Sequence, residues 1–167
     1  MKRILVSMLA FLSISSAAHA GVFIEPFLGY AVSGKEDDGG SADIKGMDYG
    51  ARLGATFAMF SVGAEYAGGS YEQDESGGTK FDTTDIGLTF AFDFPIMIRL
   101  YATYFLSSEA KPDSGTTEKG SGGYRVGIGY TGLPFVDINI EMVKRVYDDP
   151  ADYAFSATQI GLSVPLP

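Results

Sequence analysis

The sequence predicts an all-β fold: an eight-stranded antiparallel up-and-down transmembrane β-barrel, preceded by a cleaved signal peptide. Three observations predict it. The stretch 47–57, MDYGARLGATF, alternates without a fault, with Met47, Tyr49, Ala51, Leu53, Ala55 and Phe57 apolar and the residues between them not. Period two is the mark of a strand with two unlike faces, and this stretch is about as long as a tilted strand needs to be to cross a bilayer. Further stretches of the same kind fill the chain. The connections between them alternate long and short, as in a membrane barrel with short turns on one side and long loops on the other.

The N-terminus is read first as an address. Lys2 and Arg3 precede an apolar stretch, 4–14, and small residues ending Ala18-His19-Ala20, the layout of a secretory signal peptide with cleavage after Ala20. The apolar run is shorter than the roughly 20 residues of a spanning helix. Residues 1–20 are therefore a signal peptide and 21–167 an outer-membrane barrel domain. The mature chain keeps 10 Lys+Arg against 21 Asp+Glu, a net charge of −11. That balance excludes nucleic acid as a natural partner. Cleavage also removes His19, the only histidine, and the chain has no Cys and no Trp, so no disulfide framework is available. With 22 Gly, 12 Phe and 10 Tyr the composition disfavours helix. A chain of this kind crosses a membrane only as a closed sheet, because every backbone polar group must be satisfied inside lipid.

In order, strand one is expected at 22–33, with Val22, Ile24, Pro26, Leu28, Tyr30 and Val32 on one face, and Glu25 and Gly29 on the other beside Phe23 and Phe27. After the polar loop 35–45 comes strand two, 47–57. Ala58 and Met59 turn it into strand three, 60–71. The polar loop 73–80 leads to strand four, 82–92, a short turn at 93–95 to strand five, 97–107, and the longest loop, 109–122, contains nothing to form a core. Strand six, 123–131, is turned by 132–134 into strand seven, 135–147, and a last loop at 148–152 leads to strand eight, 153–166. Within each strand the apolar face is expected to keep one parity. Pro26 and Pro165 each remove a ladder donor near the closing seam, where a bulge is the expected accommodation.

The polar face decides which side is out. A water-facing exterior would be rich in Lys and Glu, yet this face is mostly Gly, Ala, Ser and Thr with sparse charges, which suits a narrow lumen. A two-residue turn at Ala58-Met59 sets Arg52 opposite Glu65, and a three-residue turn at 132–134 sets Arg125 opposite Glu141. Glu25, Asp85, Arg99 and Arg145 share the inward face. Four arginines against four carboxylates then make a neutral interior plug, since an unpaired buried charge would cost several kcal/mol or more. Gly127-Ile128-Gly129 is lumen packing and not a nucleotide loop, having no helix after it.

In strand count, loop asymmetry and charged lumen the chain resembles the small OmpA/OmpX-like outer-membrane barrel family, over essentially all of its mature length. The resemblance implies a bacterial outer-membrane location and contact with outer-membrane lipid and lipopolysaccharide. The last strand, with Gln159, Gly161, Val164 and Leu166, is similar to the C-terminal signal read by the barrel assembly machinery, although it ends in Leu166 and Pro167 and not in an aromatic residue. Enzymes among such barrels use a catalytic histidine, which the mature chain lacks, and Ser61 and Ser163 have no general base in view. No enzymatic activity and no cofactor are expected. Nor is a metal: the loop carboxylates Glu36-Asp37-Asp38, Asp74-Glu75 and Asp148-Asp149 with Asp152 do not match a dedicated calcium loop.

Lys144 is the one charge on the lipid-facing parity, roughly 20 Å up its strand, at the height of lipopolysaccharide phosphates. The expected function is a structural and surface-interaction barrel displaying acidic loops to an unknown extracellular partner. The alternatives are a narrow channel or small-solute pore, and a soluble periplasmic lipocalin-like binding barrel. No peptidoglycan-binding domain is expected after the last strand.

Overall fold

The alternation of the sequence closes into a barrel in the computed structural model, which describes residues 21–36, 44–73, 80–113, 115–148 and 153–166. The expected signal peptide, the acidic clusters at 37–38, 74–75, 149 and 152, and Pro167 lie outside the described residues. The strands are β1 (Gly21–Glu36), β2 (Ile44–Phe57), β3 (Phe60–Gln73), β4 (Lys80–Phe94), β5 (Ile98–Pro112), β6 (Glu118–Gly120), β7 (Tyr124–Tyr130), β8 (Asp137–Tyr147) and β9 (Tyr153–Ser163). All pairings are antiparallel between neighbours, β1 closes on β9, and the short β6 continues the line of β7 along β5. The result is a closed barrel of eight staves. No helix among the described residues is long and apolar enough to cross a membrane.

The faces follow from parity. Val22, Ile24 and Leu28 of β1, Leu53 of β2, Val62 of β3, Leu88 of β4, Ile128 of β7 and Ile140 of β8 are exposed on the outside. Glu25, Arg52, Glu65, Asp85, Arg125, Glu141 and Arg145 are buried inside. A lipocalin-like barrel requires the reverse arrangement. Outward aromatics stand at both ends of the belt: Tyr30, Tyr49, Tyr66, Tyr104 and Tyr124 toward the loop side, and Phe57, Phe60, Phe90, Phe94, Tyr130 and Phe135 toward the turns. Such rings mark the two interfaces of a membrane barrel.

Several boundaries and registers differ from expectation. The strands rise well above the apolar belt: β5 runs to Pro112 and β6 forms inside the stretch expected to be the longest loop. The cause is a bulge that leaves Leu106 without a partner, with Ile86 opposite Ser107 and Gly87 opposite Phe105. Parity flips there, so Ser108 and Ala110 turn inward while Glu109 and Lys111 face water. Polar residues can then continue a sheet above lipid, braced by the cross-strand pairs Lys119–Glu109 and Lys80–Glu72, each 3.6 Å. One parity per strand therefore fails wherever a bulge intervenes, and β1 has another at Val32.

The turn between β7 and β8 spans residues 131–136 and not 132–134, with Tyr130 opposite Ile138 and Phe135 at a left-handed φ of 69°. This longer turn slides β8 by two residues, so Arg125 lies opposite Val143 and Glu141 opposite Gly127. The turn after β4 centres on Pro95 to Met97, again with a left-handed residue, Met97 at 62°.

The expected bulge at the prolines is absent. Phe27 pairs with Ser163 and Ile24 with Leu166 in one unbroken register, and Val164 N donates to Pro26 O at 3.0 Å. Pro26 costs the seam one bond. Pro165 costs it none, because its nitrogen faces away from β1, toward the side where β8 has already ended at Asp137.

Candidate functional site

Four inward arginines organise the interior, and each is bound on several sides. Arg52, from the middle of β2, donates to Glu65 at 2.8 Å, to Glu25 at 3.0 Å and to Glu141 at 3.3 Å. Its guanidinium lies 4.5 Å from the centre of the Phe27 ring and 4.4 Å from that of Tyr101, a stacked and desolvated setting that suits arginine better than lysine. Arg125 reaches Glu141 at 2.5 Å, Glu65 at 2.9 Å and Asp48 at 3.1 Å. The pair Arg125–Glu141 thus forms diagonally across the β7–β8 ladder, because an arginine spans the two-residue offset that separates them in register.

Higher up, Arg145 donates to Asp85 at 2.8 Å and to Asp48 at 2.9 Å. Tyr71 and Gln159 complete the shell of Asp48, at 2.6 Å and 2.8 Å. Gln159, expected from the sequence as part of an assembly signal, thus has interior contacts. Lower down, Arg99 donates to Asp93 at 2.6 Å, to Glu25 at 2.9 Å and to Asp137 at 3.4 Å. Glu25 joins this layer to the central one. Tyr101 donates to Glu141, and Thr103 donates to Glu65 at 2.8 Å.

The expectation of a neutral plug of four arginines and four carboxylates is corrected here. Asp48, Asp93 and Asp137 join the network, giving seven carboxylates to four arginines among the described residues. Asp48 and Asp137 stand on the polar parity of their strands, so the sequence carried the signal. Asp93 lies at the end of β4, where the sequence predicts a turn, and reaches inward only because the strand continues to Phe94.

Two further features bracket the network. On the loop side Ala31, Ile44, Tyr71, Ala110, Tyr147, Phe155 and Ala157 form a buried apolar layer, with Phe81 packed against it. On the turn side a cavity of about 240 Å³ is walled by Phe23, Glu25, Thr89, Arg99, Tyr101 and Leu166, among others. Glycines make room for the large inward groups. A Cβ at Gly127 would collide with the Tyr101 ring, and one at Gly50 would come within 2.8 Å of the Phe27 ring.

The serines considered as nucleophiles are engaged otherwise: Ser61 shares a hydrogen bond of 3.0 Å with Thr56, and Ser163 accepts one of 3.0 Å from Asn139. No group of three acidic residues among the described residues is arranged to hold a metal ion. Lys144 stands beside Tyr124 of β7 and Ser156 of β9, at the top of the apolar belt. Of the residues expected to form an assembly signal, Gly161 lies within β9, Val164 just past its end, and Leu166 bridges to Ile24.

A closed eight-stave barrel with an apolar exterior, a charged interior and short turns opposite long loops has the fold of the small outer-membrane β-barrels. Among solved structures the chain is similar to Neisserial surface protein A, with a TM-score of 0.59 and 19% identity over 87% of this chain and 97% of that one. It is also similar to Ail, the attachment invasion locus protein of Yersinia pestis, with a TM-score of 0.55 and 17% identity over 88% of this chain and 97% of that one. A de novo designed transmembrane β-barrel matches at a TM-score of 0.51 and 11% identity, over 86% and 95%. No protein-family model and no curated protein matches the sequence.

Proposed function

We propose that the protein is a structural and surface-interaction barrel of the bacterial outer membrane, with a lumen closed to solutes. The observation that carries this reading is the interior itself, where an ion network lies beneath a buried apolar layer. Eight staves leave a lumen just wide enough for side chains, and here those side chains bind one another. Opening a path would separate buried ion pairs at a cost of several kcal/mol.

The barrel then serves to hold its long loops outside. The strands extend above the apolar belt as a water-facing collar, and the loops add the acidic residues Asp37, Asp38, Asp74, Glu75, Asp149 and Asp152. One Ail structure contains the heparin analogue sucrose octasulfate, a polyanion. The acidic loops of this chain suit a positively charged partner surface instead. Outer-membrane lipid surrounds the belt, Lys144 meets lipopolysaccharide phosphates at its upper rim, and the barrel assembly machinery reads Gln159, Gly161, Val164 and Leu166. No enzymatic role is proposed.

Membrane fractionation followed by gel migration of unboiled and boiled samples tests the location and closure. Recovery in the outer membrane with a heat-dependent shift supports the reading. Recovery in the soluble periplasm contradicts it.

A further inference from the structure

We propose that the turn-side cavity is a binding site for a small uncharged amphiphile, a short apolar chain that ends in a hydroxyl. Almost every polar side chain in its wall is already engaged. Both oxygens of Glu25 accept from guanidiniums, one from Arg52 and one from Arg99. The other nitrogens of Arg52 donate to Glu65 and Glu141, and those of Arg99 to Asp93. Tyr101 donates its hydroxyl to Glu141 and stacks its ring on Arg52, while Thr56 and Ser61 share a hydrogen bond. Thr89 is left. It is only 3% exposed, it stands in the cavity wall, and its Oγ1 has no hydrogen-bond partner among the described residues. A buried hydroxyl in that state marks a place where a ligand or solvent polar group completes the structure.

Charge disfavours an ion of either sign. A cation would meet the guanidiniums of Arg52 and Arg99 in the wall against the single carboxylate of Glu25. An anion would find no free donor on those guanidiniums, and would be repelled by Asp93 and Asp137, which hold Arg99 from outside the wall. The rest of the wall is apolar, with Phe23, Ala91, Pro165 and Leu166. A hydroxyl bound to Thr89, with its carbon chain along Phe23 and Leu166, therefore satisfies the buried polar group and takes apolar surface out of water. A cavity of about 150 Å³ takes up benzene. At about 240 Å³ this one admits a chain of roughly five or six carbons.

The test uses the refolded full chain in detergent micelles and the methyl resonances of Thr89 and Ala91. Leu88, exposed on the lipid side of the same strand, reports partition into the detergent. Pentan-1-ol, pentylammonium chloride and sodium pentanoate are titrated in parallel. Saturable shifts at Thr89 and Ala91 are expected with pentan-1-ol, and binding of either ion should be weaker by roughly tenfold or more. Thr89→Val should weaken the alcohol roughly fivefold, as for one lost hydrogen bond. Ala91→Leu, which takes up part of the cavity, should remove saturable binding, and Thr89→Val preserves shape if the Ala91 variant does not refold. No saturable shift would assign Thr89 to solvent alone and overturn the proposal. Binding of either ion as tight as that of the alcohol, or alcohol binding unchanged in either variant, would also overturn it.

Discussion

Arg52 and Glu65 face each other across the β2–β3 hairpin at 2.8 Å, both almost fully buried. Their pairing follows from a turn of two residues and an unbroken alternation on either side. Neither charge has water to fall back on, so the pair binds the hairpin to the rest of the interior through Glu25 and Glu141.

Removing one member of this pair strands the other. Arg52→Met is expected to lower stability by about 3–5 kcal/mol, and Arg52→Met with Glu65→Gln by less than the sum of the two single changes. Urea unfolding in lipid vesicles measures both. Strict additivity would show that the pair is not coupled.

The two seam prolines should respond differently. Pro26→Ala restores an N–H facing Val164, and is expected to gain up to about 1 kcal/mol. Pro165→Ala gains no seam bond and frees the unfolded chain, so it should be neutral or destabilising. Equal gains from both would place the nitrogen of Pro165 wrongly.

Gly127 makes room for Tyr101, which donates to Glu141. Gly127→Val should displace that ring and cost about 1–3 kcal/mol. Unfolding midpoints in the same vesicles check it, and Gly21→Ala, where nothing lies within 4 Å of the added carbon, is the matched control.

These cases show what the sequence made legible. Alternation around Ala58-Met59 set the register of Arg52 against Glu65, since a tight turn leaves no freedom. The two-residue offset of Arg125 from Glu141 is not legible, because nothing local announces that Phe135 takes a left-handed backbone and lengthens its turn. The bulges at Val32 and Leu106 were equally silent, for each is fixed by pairing with a distant strand. The apolar layer of Ala31, Ile44, Tyr71, Ala110, Tyr147, Phe155 and Ala157 draws on six strands. No window along the chain contains it.

Lys144→Glu tests the proposed contact with lipopolysaccharide. In vesicles containing lipopolysaccharide the variant should be measurably less stable to urea than the parent, while in phosphatidylcholine vesicles, whose headgroups carry no net charge, the change should be within about 0.5 kcal/mol. An equal change in both would assign Lys144 a role within the barrel alone.

Planar-bilayer recording of the pure refolded protein tests the closed lumen most directly. No steady unit conductance is expected if, as proposed, the ion network and the apolar layer close the lumen. A steady conductance that disappears on changing Arg52 or Glu65 would contradict it and make the protein a narrow channel.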